Sequence, residues 1–185
     1  MALHGILTPS AFTPFTPDNS SLWDMPHTSA TSYTTVTLTA NRLYAVPYIV
    51  GRAVARTKIG INVTTGVAGS ARLGIYAESA TGQPGALIVD AGTVDITSIA
   101  QVDATISSLT LAPGRYFLAV VGSAGAAVSA IANTNFMPRL GMTDFSTPIG
   151  CLYRANGSTN LASDESAASY SLTPVSNVPV IVLKK

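Results

Sequence analysis

Apolar residues recur at every second position from Thr34 onward, and that period constrains the fold more than any other feature of the chain. In "TTVTLTA", Val36 and Leu38 share one face while Thr35, Thr37 and Thr39 take the other. "KIGINVTTG" repeats the pattern with Ile59, Ile61 and Val63, and "ARLGIYA" with Leu73, Ile75 and Ala77. A period of two puts alternate side chains on opposite faces of a strand, so these segments predict half-buried β-strands. "RYFLAVVG" is apolar on both faces and predicts a strand covered on both sides. "VPVIVLKK" predicts a last apolar strand ending in two solvated lysines.

Turn chemistry separates the runs. Pro113-Gly114 and Pro84-Gly85 fit the central positions of type II turns, and Asn156-Gly157 fits a type I′ hairpin turn. "VDATISSLTL" reads as a strand kinked at Ser107-Ser108. No segment carries a capped helical stripe. Eight or so short strands with regular turns predict an all-β fold, an antiparallel β-sandwich of jelly-roll type spanning residues 33–185.

Residues 1–32 differ. "ILTPSAFTPFTPDNSS" repeats Thr-Pro at Thr8-Pro9, Thr13-Pro14 and Thr16-Pro17. Proline holds itself and its predecessor in extended geometry, so an extended N-terminal arm is expected, about 3.1 Å per residue if polyproline-like. The arm is rich in large apolar groups, among them Leu7, Phe12, Phe15, Leu22 and Trp23, which a solvated linker would lack. An ordered apolar arm needs a surface, its own domain's or a neighbour's, and we expect the neighbour's.

Charge is scarce, 10% of residues, with three Lys and two Glu. Average soluble domains carry roughly 25%. A Thr/Ser-coated β-domain tolerates this, but we expect surface hidden against other subunits, most simply a homotrimer. Five bases and no acid lie between Met25 and Ala77, among them Arg52, Arg56, Lys58 and Arg72. Four acids and no base follow from Glu78 to Asp103, including Asp90 and Asp95. Pairing across strands within one subunit is the simpler expectation, and pairing between subunits the alternative.

Chemistry is harder to find. The two histidines, His4 and His27, both fall in the arm, so the body alone holds neither a Ser-His-Asp nor a Cys-His arrangement. Adjacent Asp164 and Glu165 read as a solvated loop rather than a catalytic pair. The Gly-rich segments "GVAGSARLG" and "GSAGAAVSA" match no phosphate loop. We therefore expect no enzyme, no catalytic residue, no metal and no cofactor. A net charge of +1 argues against nucleic acid as a partner, and no run is long enough to span a membrane. "MALHGILTPSAF" lacks the basic start of a signal peptide, so synthesis in a cytoplasm is expected. Candidate glycan contacts are Tyr153, Arg154 and Asn156 in "CLYRANGSTN", with Phe136 and Arg139 in "NTNFMPRLG". The competing and preferred reading has Tyr153 and Phe136 capping the core and Asn156 making a turn.

"IGINVTTGVAGSARLGIYAESATGQPGALIVDAGTVDI" followed by "LTLAPGRYFLAVV" resembles a module of structural proteins of tailed bacteriophages, and "LTANRLYAVPYIVGRA" resembles its lead-in strand pair. The resemblance covers roughly Thr37 to Val121. It implies a jelly-roll-like domain of a virion, found in head decoration and tail fibre proteins, assembled in the host bacterial cytoplasm. The shared residues Gly74, Pro84, Gly85, Gly92, Pro113 and Gly114 are structural and bring no ligand or catalytic group. A short chain with an apolar arm and no shaft fits a capsid cement protein clamping the major capsid protein. The alternative is a tail-tip domain that recognises a host surface glycan.

Overall fold

The computed structural model describes residues 22–25, 32–133, 140 and 149–185. Twelve strands form among them: β1 Trp23–Asp24, β2 Thr34–Thr37, β3 Arg42–Val50, β4 Val54–Thr65, β5 Ser70–Glu78, β6 Pro84–Asp95, β7 Ala100–Leu111, β8 Gly114–Gly122, β9 Ala127–Ala132, β10 Leu152–Ala155, β11 Asn177–Pro179 and β12 Val182–Lys184. They build two antiparallel sheets that pack into a β-sandwich. One sheet runs β2-β9-β4-β7 and the other β3-β8-β5-β6. In chain order these pairings are the jelly roll that the alternating sequence predicts. To this frame β10 adds beside β3, β11 beside β9, β12 beside β4 and β1 beside β12.

The two sheets meet over one core. Val46, Tyr48, Ile59, Ile61, Val63, Leu73, Ile75, Leu118 and Val120 lie in it, every second residue of their strands as the period requires. A second, smaller core lies on the opposite face of the β3-β8-β5-β6 sheet, where Leu43, Ala45, Tyr76, Phe117, Ala119 and Val121 pack under Ile149, Leu152, Leu161 and Tyr170. The segment that follows β10 thus roofs this sheet, which is why "RYFLAVVG" is apolar on both faces.

The roof corrects the turn assignments. Pro84 and Gly85 are the buried start of β6, and Gly85's carbonyl accepts the Glu165 amide at 2.9 Å. The reversal before β6 is at Ser79–Gly82, closed by the Gly82 amide on Ser79's carbonyl at 3.0 Å with Gly82 at φ 78°. Gly114 has no positive φ, because β7 and β8 belong to different sheets and Ala112-Pro113 carries the chain between layers rather than back along one ladder. Asn156 is not left-handed either, so no type I′ turn forms. Its amide nitrogen instead bonds the carbonyls of Ser158 and Asn160 as the chain departs for the roof. The kink in β7 is found: pairing with β4 slips between Arg56 and Lys58, opposite residues 106–108.

In the β2-β9-β4-β7 sheet, β4 and β9 pair only at Val63–Thr65 with Ala127–Val128. Beyond that they separate, and the C-terminal segment fills the split, running against β9 as β11 and then against β4 as β12. The predicted last strand is therefore two short strands joined at Val180-Ile181.

Candidate functional site: the arm-docking edge and its groove

The N-terminal arm meets the sandwich at this C-terminal insert. Trp23 stands opposite Lys184 and Asp24 opposite Leu183, so β1 extends the sheet beyond β12. Lys184 Nζ lies 5.7 Å from the centre of the Trp23 ring, within cation–π range. These residues of the arm rest on their own domain, contrary to the expectation of a neighbour's surface. The reason is electrostatic. Arg56, buried on β4, needs a counter-charge, and Asp24 supplies it at 2.5 Å. The Tyr48 hydroxyl donates to Asp24 Oδ2 at 2.7 Å and accepts from Arg56 Nη2 at 2.7 Å. Burial and the neighbouring Asp24 carboxylate push the Tyr48 hydroxyl well above the usual tyrosine range. Arg56 Nε finds no partner among the described residues.

Beside this lock lies a groove of about 260 Å³ on the outer side of the split between β4 and β9. Trp23 and Tyr33 wall it, and Tyr33 is 62% exposed. Ile61, Val180 and Val182 supply its apolar lining. Asn62, Gln101 and Ser129 are its polar groups. Asn62 and Gln101 face each other across β4 and β7, and Asn62 Nδ2 spans the split to Ser129 Oγ at 2.8 Å. Among the described residues no charged side chain lines the groove. Nothing in the sequence period marks it, because it arises where two strands fail to pair.

Three further ion pairs among the described residues close within the chain. Arg72 forks onto Asp90, with Nη2 to Oδ2 at 2.6 Å, and this bond holds the Asp90 carboxyl below the usual carboxylate range. Lys58 meets Asp103 at 2.8 Å, and Arg115 meets Glu78. The basic and acidic segments therefore join across neighbouring strands of one subunit. Asp95 makes a turn instead: the Thr97 amide donates to its Oδ1 at 2.8 Å, and bonds from Thr97 keep its carboxyl below the usual range. Arg52 is exposed between β3 and β4.

Of the glycan candidates, Tyr153 packs against the main core, 6.4 Å from the Tyr44 ring, with Arg42 4.8 Å over its face. Arg154 is committed to Glu165, with Nε to Oε2 at 2.7 Å and a second bond to Oε1. Glu165 is 1% exposed and also accepts from the Tyr170 hydroxyl at 2.9 Å, so it is the anchor of the roof and not the solvated loop residue expected from its neighbours. Asn156 serves the loop as described. Each of these three is engaged within the chain. Phe136 and Arg139 lie outside the described residues, as do Leu7, Phe12 and Phe15 of the arm. Leu22 is half exposed where the chain enters β1.

Among the described residues no three His, Cys, Asp or Glu side chains group as a metal site, and no helix is long and apolar enough to cross a membrane. No protein-family model matches the chain, and no curated protein matches it.

Proposed function

We propose that this chain is a non-enzymatic structural protein of a bacteriophage virion, a capsid decoration or cement protein. In this reading it associates with itself, most simply as a homotrimer, and clamps neighbouring copies of the major capsid protein through its N-terminal arm and loops. The observation that carries this reading is the lock at the sandwich edge. Asp24 sealed on Arg56 and Tyr48 fixes the point from which residues 1–21, with Leu7, Phe12 and Phe15, depart. A fixed base makes an apolar arm a directed connector, because the ordering cost is partly met before a partner arrives. Support comes also from the jelly roll formed by the residues that carry the bacteriophage resemblance, and from ion pairs closed inside the subunit. Such a subunit presents a largely uncharged outside to its neighbours.

The deciding experiment is the copy number per virion, by quantitative mass spectrometry against the major capsid protein. Hundreds of copies support cement. A handful moves the protein to the tail, where recognition of a host glycan becomes the reading. Deleting residues 1–21, while keeping Trp23 and Asp24, is expected to leave a folded sandwich that no longer attaches to heads.

A further inference from the structure

We infer that the groove beside Trp23 receives the Thr-Pro segment of a second copy, with "TPFTP", Thr13–Pro17, as the bound portion. The inference deepens the proposed function and rests on it only in taking the arm as the assembling element.

Three observations select this occupant. First, the walls are the aromatic side chains of Trp23 and Tyr33, and the polar groups are the amides of Asn62 and Gln101. A proline-rich chain in extended form makes no internal hydrogen bonds, so its rings stack on aromatic faces while its exposed carbonyls seek donors. Asn62 spends one amide hydrogen on Ser129 and retains the other, with its carbonyl, for a ligand backbone. Second, both sides are uncharged. From Ala2 to Pro17 the only ionisable side chain is His4, and none of the described residues lining the groove is Asp, Glu, Lys or Arg, so contact with them buries no unpaired charge. Third, about 260 Å³ falls just below the roughly 300–1,000 Å³ of pockets that enclose a whole small molecule, and suits a few side chains of a longer chain passing over.

The register argues for a second copy over the chain's own arm. Trp23 faces Lys184 and Asp24 faces Leu183, so Leu22 lies toward Lys185 and Met25 toward Val182. The groove is on the Val182 and Val180 side. Leu22 therefore precedes Trp23 on the Lys185 side, and a Thr-Pro segment of the same chain would have to double back past Trp23 to reach the groove. The arm of a neighbour meets no such demand.

Disulfide trapping between full-length chains tests this. One preparation carries Thr16→Cys and an affinity tag, the other Gln101→Cys, an exposed rim position. Native Cys151 is fully buried and does not compete. The two are mixed and mildly oxidised. The expected product is a mixed dimer joined through residues 16 and 101, reduced at least tenfold when Pro14→Ala and Phe15→Ala are added to the tagged chain. A chain bearing both cysteines that closes on itself at high dilution, with no mixed dimer, would assign the groove to its own arm and overturn the inference. Absence of both products would overturn docking altogether. Hundreds of copies per virion without the mixed dimer would remove this inference and leave the proposed function standing. The mixed dimer with few copies would do the reverse.

Discussion

Two clusters in this molecule use the same three groups, an arginine, a carboxylate and a tyrosine, to hold an irregular segment on a sheet. At the sandwich edge Arg56, Asp24 and Tyr48 hold the base of the arm. Under the roof Arg154, Glu165 and Tyr170 hold the segment that covers the second core. They differ in which partner is buried. At the edge the Arg56 side chain is 5% exposed and Asp24 24%, so the base is sealed and water reaches the acid. Under the roof Glu165 is 1% exposed and Arg154 20%. Removing one partner of a buried pair costs most when the survivor has no water to turn to. The clusters therefore break from opposite ends.

The largest effect is expected from Arg154→Met, which leaves the Glu165 carboxylate, the more deeply buried of the two survivors, with the Tyr170 hydroxyl but no guanidinium. Equilibrium unfolding in denaturant should show a loss of about 3–5 kcal/mol. Asp24→Ala comes next, at about 2–3 kcal/mol, because Arg56 keeps the Tyr48 hydroxyl and gains water where the carboxylate stood. The sole tryptophan separates the two: Trp23 emission should shift to the red in Asp24→Ala as β1 leaves β12, and stay in place in folded Arg154→Met. Red-shifted emission in both variants would show that edge and roof unfold together.

The contrast also marks what the sequence could tell. Alternation at Ile59, Ile61 and Val63, and the doubly apolar "RYFLAVVG", were enough to specify strands, layers and a covered sheet, because side-chain period is a local property. The roof was not legible. Glu165 sits in "SDESAAS", whose composition is that of a solvated loop, and only pairing with Arg154 and Gly85 buries it. The docking of Trp23 and Asp24 on the sandwich edge was not legible either. Asp24 is drawn to an arginine 32 positions away, and the groove depends on β4 and β9 separating after Val63. Both are tertiary events without local trace. Gly74, inside the alternating run of β5, shows the same limit, since its reason lies in a distant side chain.

That reason gives the third prediction, which sharpens the roof's side. A Cβ on Gly74 would lie 2.3 Å from Leu161 Cδ1 and 2.7 Å from the Val89 carbonyl oxygen. Gly74→Ala must displace the roof or the β5-β6 ladder, and is expected to cost about 1–3 kcal/mol as overpacking. Combining it with Leu161→Ala should recover part of that loss if the roof is what yields. If the double variant is no better than the sum of the two, the clash is with the Val89 carbonyl.

The tyrosines extend the comparison to alkaline pH. Tyr48 at the edge, with Tyr76 and Tyr170 under the roof, have hydroxyls raised above the usual range, burial being the first cause in each. Below about pH 10 both folded and unfolded chains keep these protons, and the stability tied to them is complete. Above it the unfolded chain ionises first, so stability falls by up to about 1.4 kcal/mol per pH unit for each group. Two of the three lie under the roof. Tyr76→Phe with Tyr170→Phe should therefore flatten the alkaline limb more than Tyr48→Phe, as read from unfolding midpoints between pH 9 and 11.

The smallest effect belongs to an ion pair outside both clusters. Asp90 accepts from Arg72 and from the Gly92 amide, and its carboxyl is held below the ordinary range first by the Arg72 bond. A depressed folded pKa means that the contribution is present above the unfolded value near 4 and is lost as pH falls through the folded one. Both side chains are more than a quarter exposed, which confines the pair to about 0.2–1 kcal/mol. Asp90→Asn should remove that much at pH 7 and progressively less as pH falls below the unfolded value, with 0.5 M salt narrowing the difference. A loss as large as that of Arg154→Met would mean that solvent access does not set the ranking, and the contrast between edge and roof would lose its physical basis.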